Sequence, residues 1–331
     1  MDQHFPFSDI TQSPPSSRRY VFGPIPSRRL GLSLGVDVIP KKLCNLDCVY
    51  CELGRTDKRA MKRQEYFAAK EIIAELQDVV GKVGRVDYIT FSGSGEPTLN
   101  SKLGEVIRTV KTMTSVPVAV ITNGTLLYQS DVREDLLAAD IVLPSLDAVT
   151  NEMFYKVNRP HPKLSLGMIL SGLKMFRSEY RGQLWLEILL VKGLNDSTEE
   201  VLLIKDIVEE IRPDKIQLNT VLRPPSEPWA QPVEMERMRE IQSLLGERCE
   251  IIASTVPENL PQGIPHVESI LGILHRRPMT VDELAASFGI PLNQMKAVLE
   301  VLEQNGLVVS YHFGSRTYFR PIEHYFSGLC G

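Results

Sequence analysis

The sequence predicts an α/β fold followed by a smaller unit of helices and a hairpin. Three observations carry this expectation. From Leu34 onward, short β-branched apolar runs alternate six times with stretches of helical period. A Pro- and Gly-rich segment, STVPENLPQGIP, interrupts the pattern after Ser254. A differently patterned stretch of about 55 residues comes after it.

The expected strands are Leu34–Ile39, Asp87–Phe91, Val116–Ile121, Ile141–Leu143, Leu184–Val191 and Lys215–Leu218. Between them, Phe67 to Val80 sets Ile72, Ile73, Leu76, Val79 and Val80 on one face and mostly charged residues on the other, the mark of a helix lying on a sheet. Further helices are expected near Ser101–Thr112, from Asp131, across Leu166–Ser178, and after Ser197, where Ser197-x-x-Glu200 reads as a capping box. Nearly continuous apolar strands separated by amphipathic helices imply a parallel sheet covered by helices, either a barrel or a doubly wound sheet. Both put their chemistry at the C-terminal ends of the strands.

After the 254–265 linker, Val267–His275 reads as an apolar helix. Thr280-x-x-Glu283 caps a second, Pro291–Gln304 forms a third, and LVVSYHFGSRTYFR alternates as a hairpin turning at Gly314–Ser315. Three helices and a hairpin resemble a winged helix-turn-helix domain. The expected organisation is a disordered tail over 1–19, a core over 20–253, the linker, a winged-helix domain over 266–320 and a second tail over 321–331.

At 331 residues, 43% hydrophobic and 24% charged, the composition is that of an ordinary globular chain and argues against disorder, collagen and coiled coil. A net charge of −4 gives no global positive field for nucleic acid or anionic membrane. No apolar run approaches a membrane span, and the first 20 residues lack a basic segment leading into a hydrophobic one, so the expected location is the cytoplasm. Three of the five cysteines fall within eight residues, which reads as metal binding in a reducing compartment.

Those three, Cys44, Cys48 and Cys51 in LCNLDCVYCELG, have C-x3-C-x2-C spacing just after the first expected strand. Close soft ligands suit an iron–sulfur cluster or zinc. Structural zinc takes four protein ligands, and only the distant Cys249 and Cys330 remain. Three thiolates would leave one corner of a cubane open to a small molecule. Cys249 reads as a buried strand residue and Cys330 as part of the tail.

This spacing, with Tyr50 before the third cysteine, resembles the signature of the radical S-adenosylmethionine (radical SAM) superfamily. Four further motifs extend the resemblance: Gly93-Ser94-Gly95-Glu96-Pro97, similar to a Gly-Gly-Glu-Pro motif with an added serine; Thr122-Asn123-Gly124; Ser145-Leu146-Asp147; and Val191-Lys192-Gly193-Leu194-Asn195-Asp196. Each motif alone is ordinary loop punctuation; their order at successive strand ends makes the case.

The resemblance implies a partial (β/α)6 TIM-like barrel, a [4Fe-4S] cluster on Cys44, Cys48 and Cys51, and reductive cleavage of S-adenosylmethionine to a 5′-deoxyadenosyl radical that abstracts hydrogen from a substrate. It further implies that the backbone at Gly93, Gly95, Glu96 and Pro97 meets the methionyl ammonium. Thr122, Asn123, Ser145 and Asp147 would lie at the ribose and methionyl carboxylate, and Val191, Lys192 and Gly193 at the adenine. FGPIPSRRLGLSLGVDVIP with the cysteine loop is similar to small members related to the wyosine-forming tRNA enzymes, but this chain has no cysteine before Cys44 for a second cluster.

Arg28, Arg29, Arg159, Gln217, Asn219 and Arg223 end or flank expected strands and are candidates for substrate contact. From Lys41 to Arg63, seven basic residues (Lys41, Lys42, Arg55, Lys58, Arg59, Lys62 and Arg63) face three acidic ones. That excess suits a phosphate-bearing substrate such as RNA, an acidic electron donor such as flavodoxin or ferredoxin, or a merely solvated face. RPPSEPWAQP reads as a stiff lid or a simple crossover. The 265–320 segment carries five basic and five acidic residues, which disfavours DNA and leaves RNA or a peptide. The alternative function is an iron–sulfur redox sensor or transcriptional regulator with winged-helix output, against which the neutral charge of that unit weighs.

Overall fold

Gly23, Pro24, Pro26 and Ser27 make an unpromising strand, yet β1 (Val21–Ser27) pairs antiparallel with β2 (Gly31–Val36), with a bulge between Phe22 and Ile25. Proline is tolerated because β1 is the edge of the sheet. The computed structural model describes residues 20–252 and 267–322; the two tails, the linker and Cys330 lie outside the described residues.

From β2 onward strands and helices alternate. The elements are α1 (Ala69–Val80), β3 (Tyr88–Phe91), α2 (Leu103–Met113), β4 (Val118–Thr122), α3 (Ser130–Leu136), β5 (Ile141–Pro144), α4 (Asn151–Val157), α5 (Leu166–Glu179), β6 (Gln183–Leu190), α6 (Thr198–Ile211), β7 (Lys215–Thr220), α7 (Met235–Leu245) and β8 (Cys249–Ile251). The strands lie side by side in sequence order, and every neighbouring pair from β2 to β8 is parallel. A doubly wound sheet reverses its strand order and this one does not, so of the two expected architectures the open, singly wound barrel is correct. The sheet carries two strands beyond the six expected, β1 and β8. Its first parallel strand ends at Val36 rather than Ile39, because pairing stops at Val21↔Val36 and Val36↔Phe91.

Ser197 caps α6 by accepting from the Glu200 amide, and Arg212 ends that helix in left-handed backbone. The apolar faces of α1, α2, α5 and α6 close over Val36, Phe91, Val120, Leu186 and Leu218 in one core. Cys249 is buried in β8, as expected.

The C-terminal unit consists of α8 (Val267–Arg276), α9 (Val281–Phe288), α10 (Leu292–Gln304) and the hairpin β9 (Val308–Phe313) and β10 (Arg316–Pro321). Its capping box at Thr280/Glu283 and its turn at Gly314–Ser315, with Gly314 at φ 58°, fall where the sequence places them. Its core takes in Ile25 and Phe22 of β1, so β1 is the seam between the two units.

Burial, with Lys41 and Arg276 nearby, pulls the His275 imidazole down to about 4. The unfolded chain takes up that proton first, near pH 6.5. Stability is therefore full above pH 6.5 and falls as pH drops toward 4, by on the order of 2 kcal/mol for this partly exposed ring. Urea midpoints at pH 7 and pH 4.5 are expected to differ less in His275→Gln than in the wild type.

Candidate metal and cofactor site

The three cysteines lie on the loop after β2, and the loop is held by backbone contacts from several elements. Lys42 N donates to Ser94 O (2.5 Å) and Glu96 N to Leu43 O (3.0 Å). Asp47 N reaches Asn158 O (3.0 Å), Val49 N reaches Val157 O (2.9 Å), and Glu227 N returns to Val49 O (3.0 Å). Ser226 Oγ donates to the carbonyls of Cys48 and Val49 (2.9 and 3.0 Å). The proline-rich RPPSEPWAQP segment is thus a strap fastened to the cysteine loop rather than a free lid.

Each sulfur has its own nitrogen donor: Asn123 Nδ2 on Cys44 (3.5 Å), Asn158 Nδ2 on Cys48 (3.5 Å) and Lys42 Nζ on Cys51 (3.2 Å). Burial, aided by Glu96, pushes the Cys44 thiol up to about 12. Burial beside Asp147 likewise raises Cys48 well above the usual thiol range. Thiols in such surroundings ionise only with a strong positive partner, and their N–H donors stabilise sulfur once it is charged. Among the described residues, no three His, Cys, Asp or Glu side chains converge on a single ion. Three separate thiolates, each with a donor, fit a cluster in which each binds its own iron.

The strand-end motifs brace this loop and one another. Gly93 has φ 125°, with the Asp37 carboxylate beside it. Ser94, the added residue of its motif, donates through both N (3.2 Å) and Oγ (2.5 Å) to Asp37. Buried Glu96 accepts from Thr98, Thr122 Oγ1 (2.6 Å) and Asn123 N (2.7 Å), which ties the second motif to the third; Pro97 opens the short 3-10 turn behind it. Asn123 also donates to Asn45 Oδ1 (2.7 Å).

Ser145 bridges Glu187. Asp147, its pKa pushed up to about 6 by burial, accepts from Tyr50 Oη, Asn158 Nδ2 (2.8 Å) and Leu189 N (2.9 Å). Asn195 links the last two motifs, donating to Asp147 O and Leu189 O and accepting from Val191 N. Gly193 takes φ 70°, whereas the Lys192 side chain pairs with Glu234 on the surface.

Gly95 is explained by a close approach. A Cβ there would lie 2.2 Å from Leu43 O, on the residue before Cys44. Because the clash is with backbone, Gly95→Ala must push the loop away. We expect iron loading of this variant to fall at least 10-fold, the scale on which ligand-supporting residues act, as measured by iron per chain after anaerobic reconstitution.

The candidate substrate residues divide into groups. Arg159, with φ 45°, pairs with Glu227 (2.5 Å) and Asp47 (3.7 Å) and so braces the cysteine loop. Arg29 pairs with Glu187 inside the barrel, where Asn219 also donates (2.9 Å); Gln217 donates to Glu250 (3.1 Å), and its buried Oε1 has no partner among the described residues. These four are engaged within the protein. Arg28 and Arg223 instead line a cavity between the core and the C-terminal unit.

Part of the basic excess around the cysteines is also engaged within the protein. Arg63 pairs with Asp131 and Asp135, Arg59 donates to the carbonyls of Arg159 and Pro160, and Lys42 faces Cys51 and Gly54 O. Lys41, Arg55, Lys58, Arg59 and Lys62 are exposed. Lys42, Asn158 and Ser226 are sulfur or loop partners that the motifs do not mark; Asn158 stands next to Arg159 in the stretch NRPHP, its only signal.

The family model of the radical SAM superfamily matches residues 38–203. A Brachyspira hyodysenteriae protein named GTPase Obg is 39% identical over 292 residues, 87% of this chain; the chain spans only 43% of that relative's length. A UPF0026 protein of Methanocaldococcus jannaschii is 37% identical over 228 residues, covering 68% of this chain and 71% of its own. The solved structure of a radical SAM methyltransferase from Sphaerobacter thermophilus shares the fold at TM-score 0.52 with 18% identity, over 66% of this chain and 65% of that one.

Proposed function

The chain belongs to the radical SAM superfamily and to the UPF0026 family, and from that premise we propose that it is an enzyme holding a [4Fe-4S] cluster on Cys44, Cys48 and Cys51. Bound there, the cluster and S-adenosylmethionine supply one-electron cleavage to a 5′-deoxyadenosyl radical, which takes hydrogen from the substrate. The observation that carries this reading is the set of three thiols with three separate donors, pinned by Leu43 O and Lys42 N against the Gly93–Pro97 turn.

In this reading Gly93, Gly95, Glu96 and Pro97 shape the turn that receives the methionyl group. Thr122, Asn123, Ser145 and Asp147 order the floor beneath it, and Val191 and Gly193 bound the adenine. Asp147 and Asn158 orient Tyr50 and Cys48, and apolar Val49, Val191, Val221 and Ala230 keep water from that flank. An acidic one-electron donor, a flavodoxin or ferredoxin, would approach near exposed Lys58 and Lys62. The cytoplasm is the compartment that keeps the thiols reduced. Among the described residues no helix is long and apolar enough to cross a membrane.

The C-terminal unit is a winged helix in this reading, serving RNA or peptide substrate rather than DNA. Supporting this, Phe313 at the hairpin tip packs, as Tyr50, Leu189 and Leu194 do, against the cluster of Val49, Val191, Val221 and Ala230, and Tyr318 Oη donates to Leu222 O (2.7 Å). A hairpin engaged with the core is not a free wing. Anaerobic reconstitution and reduction with S-adenosylmethionine should release 5′-deoxyadenosine. DNA retardation without that release would replace the reading by a redox sensor.

A further inference from the structure

A cavity of about 410 Å³ opens between the core and the C-terminal unit. Pro26, Arg28, Arg223, Arg277, Thr280 and Arg316 are among the residues that line it. Its wall carries four arginines and two acids, Asp282 and Glu283. Arg223 is satisfied from outside and within: Nε meets Glu52 (3.1 Å), Nη2 meets Glu283 (2.6 Å) and Nη1 donates to Pro278 O (2.6 Å).

The other cations are not matched in this way. Among the described residues Arg277 donates once, from Nη2 to Pro26 O (3.2 Å), and its buried Nε has no partner. Arg28 has no hydrogen bond or ion pair among the described residues. Burial and the nearby Arg223 guanidinium hold both side chains down at about 10. Glu52 acts on both from a distance, with Glu187 on Arg28 and Glu283 on Arg277, but neither guanidinium has a carboxylate at ion-pair distance among the described residues. A buried cation without a close partner is costly, and a guanidinium fork is shaped for an oxyanion.

We infer that this cleft binds a phosphate monoester, with Arg28 and Arg277 as the groups that grip it. Two guanidiniums without an ion pair among the described residues, Arg28 and Arg277, match a dianion better than the single charge of a carboxylate or a phosphodiester. The volume admits a nucleotide-sized molecule. Glu52, the residue after Cys51, is the partner of Arg223, so the cleft borders the cysteine loop. That the phosphate belongs to the substrate rests on the function proposed above; that the cleft takes a phosphate does not.

The test is calorimetry on the cluster-reconstituted full chain at low salt. Inorganic phosphate is titrated first, then a nucleoside 5′-monophosphate, its parent nucleoside, and a short RNA lacking a terminal phosphate. We expect saturable phosphate binding, and the monophosphate to bind at least 10-fold more tightly than its nucleoside and than the RNA. Arg28→Gln and Arg277→Gln should each weaken phosphate binding about 10-fold or more, the scale of a hydrogen bond to a charged group, while Lys205→Gln in α6 leaves it unchanged. Should Arg277→Gln not fold, Arg28→Gln decides alone.

Absence of saturable phosphate binding, equal affinity in wild type and Arg28→Gln, or a nucleoside binding as tightly as its monophosphate would overturn the inference. RNA binding as tightly as the monophosphate would overturn the monoester assignment. Deoxyadenosine release from the same preparations reports on the cofactor chemistry separately. Lost phosphate binding with release intact sinks this inference alone, and the converse sinks only the function proposed above.

Discussion

Alanine at Cys44, Cys48 or Cys51 is expected to reduce both iron content and 5′-deoxyadenosine formation to background, whereas Cys249→Ala retains both. The contrast follows from surroundings rather than residue type. Cys44, Cys48 and Cys51 each face a nitrogen donor on a loop pinned from at least three directions. Cys249 is a small apolar filler in β8, and burial beside Glu250 pushes its thiol up to about 12. Its truncation removes one buried sulfur, a cost of about 1 kcal/mol, visible as a small shift of the urea midpoint. Iron, zinc and deoxyadenosine are measured on the same anaerobic preparations. Iron retained at wild-type level in any of the three loop variants, or zinc in place of iron in the wild type, contradicts the assignment.

The cysteine loop was legible because ligand spacing is a local property, and β3 to β7 were legible because buried parallel strands are written as apolar runs. β1 was not, since its two prolines and two small polar or glycine positions become a strand only when β2 offers an edge. α7, MERMREIQSLL, went unseen because only Met238, Ile241 and Leu245 are buried and Glu236, Arg237, Arg239 and Glu240 break up its apolar pattern. At the site, Asn123 sits inside a motif, but Asn158 reaches Cys48 across 110 residues and Lys42 depends on a left-handed backbone at φ 62°. No short pattern encodes such contacts. The arginines show the same limit: position beside expected strands nominated four of them together, and only folding separates Arg29 and Arg159, matched by carboxylates inside the core, from Arg28 and Arg223 at the cleft.

Arg223→Met is expected to cost about 3 kcal/mol and to loosen the C-terminal unit from the core. The guanidinium is 7% exposed and serves three partners, Glu52 on the cysteine loop and Pro278 and Glu283 at the start of α9. Burial alone would pull its pKa down; Glu52 and Glu283 more than offset that. Removing the shared cation leaves the Pro278 carbonyl and Glu283 without it in a partly closed space, a change in the range of 3–5 kcal/mol for a buried pair; Glu52, 38% exposed, is rescued by water, which places the loss near about 3. Arg223→Lys should recover less than half, because one ammonium cannot reproduce a fork that meets three acceptors in different directions.

The second seam contact, Arg276 Nε to Asp37 Oδ2 at 3.2 Å, remains in both variants, so loosening rather than complete separation is the expected result. Limited proteolysis is the direct readout, with faster cleavage between the two units in Arg223→Met than in the wild type, alongside a lower urea midpoint. In a double-mutant cycle with Glu283→Gln, the two losses should fall short of additive by at least about 0.5 kcal/mol, as they do for groups in one network. Strict additivity would mean that Arg223 and Glu283 act independently and that the seam is held elsewhere.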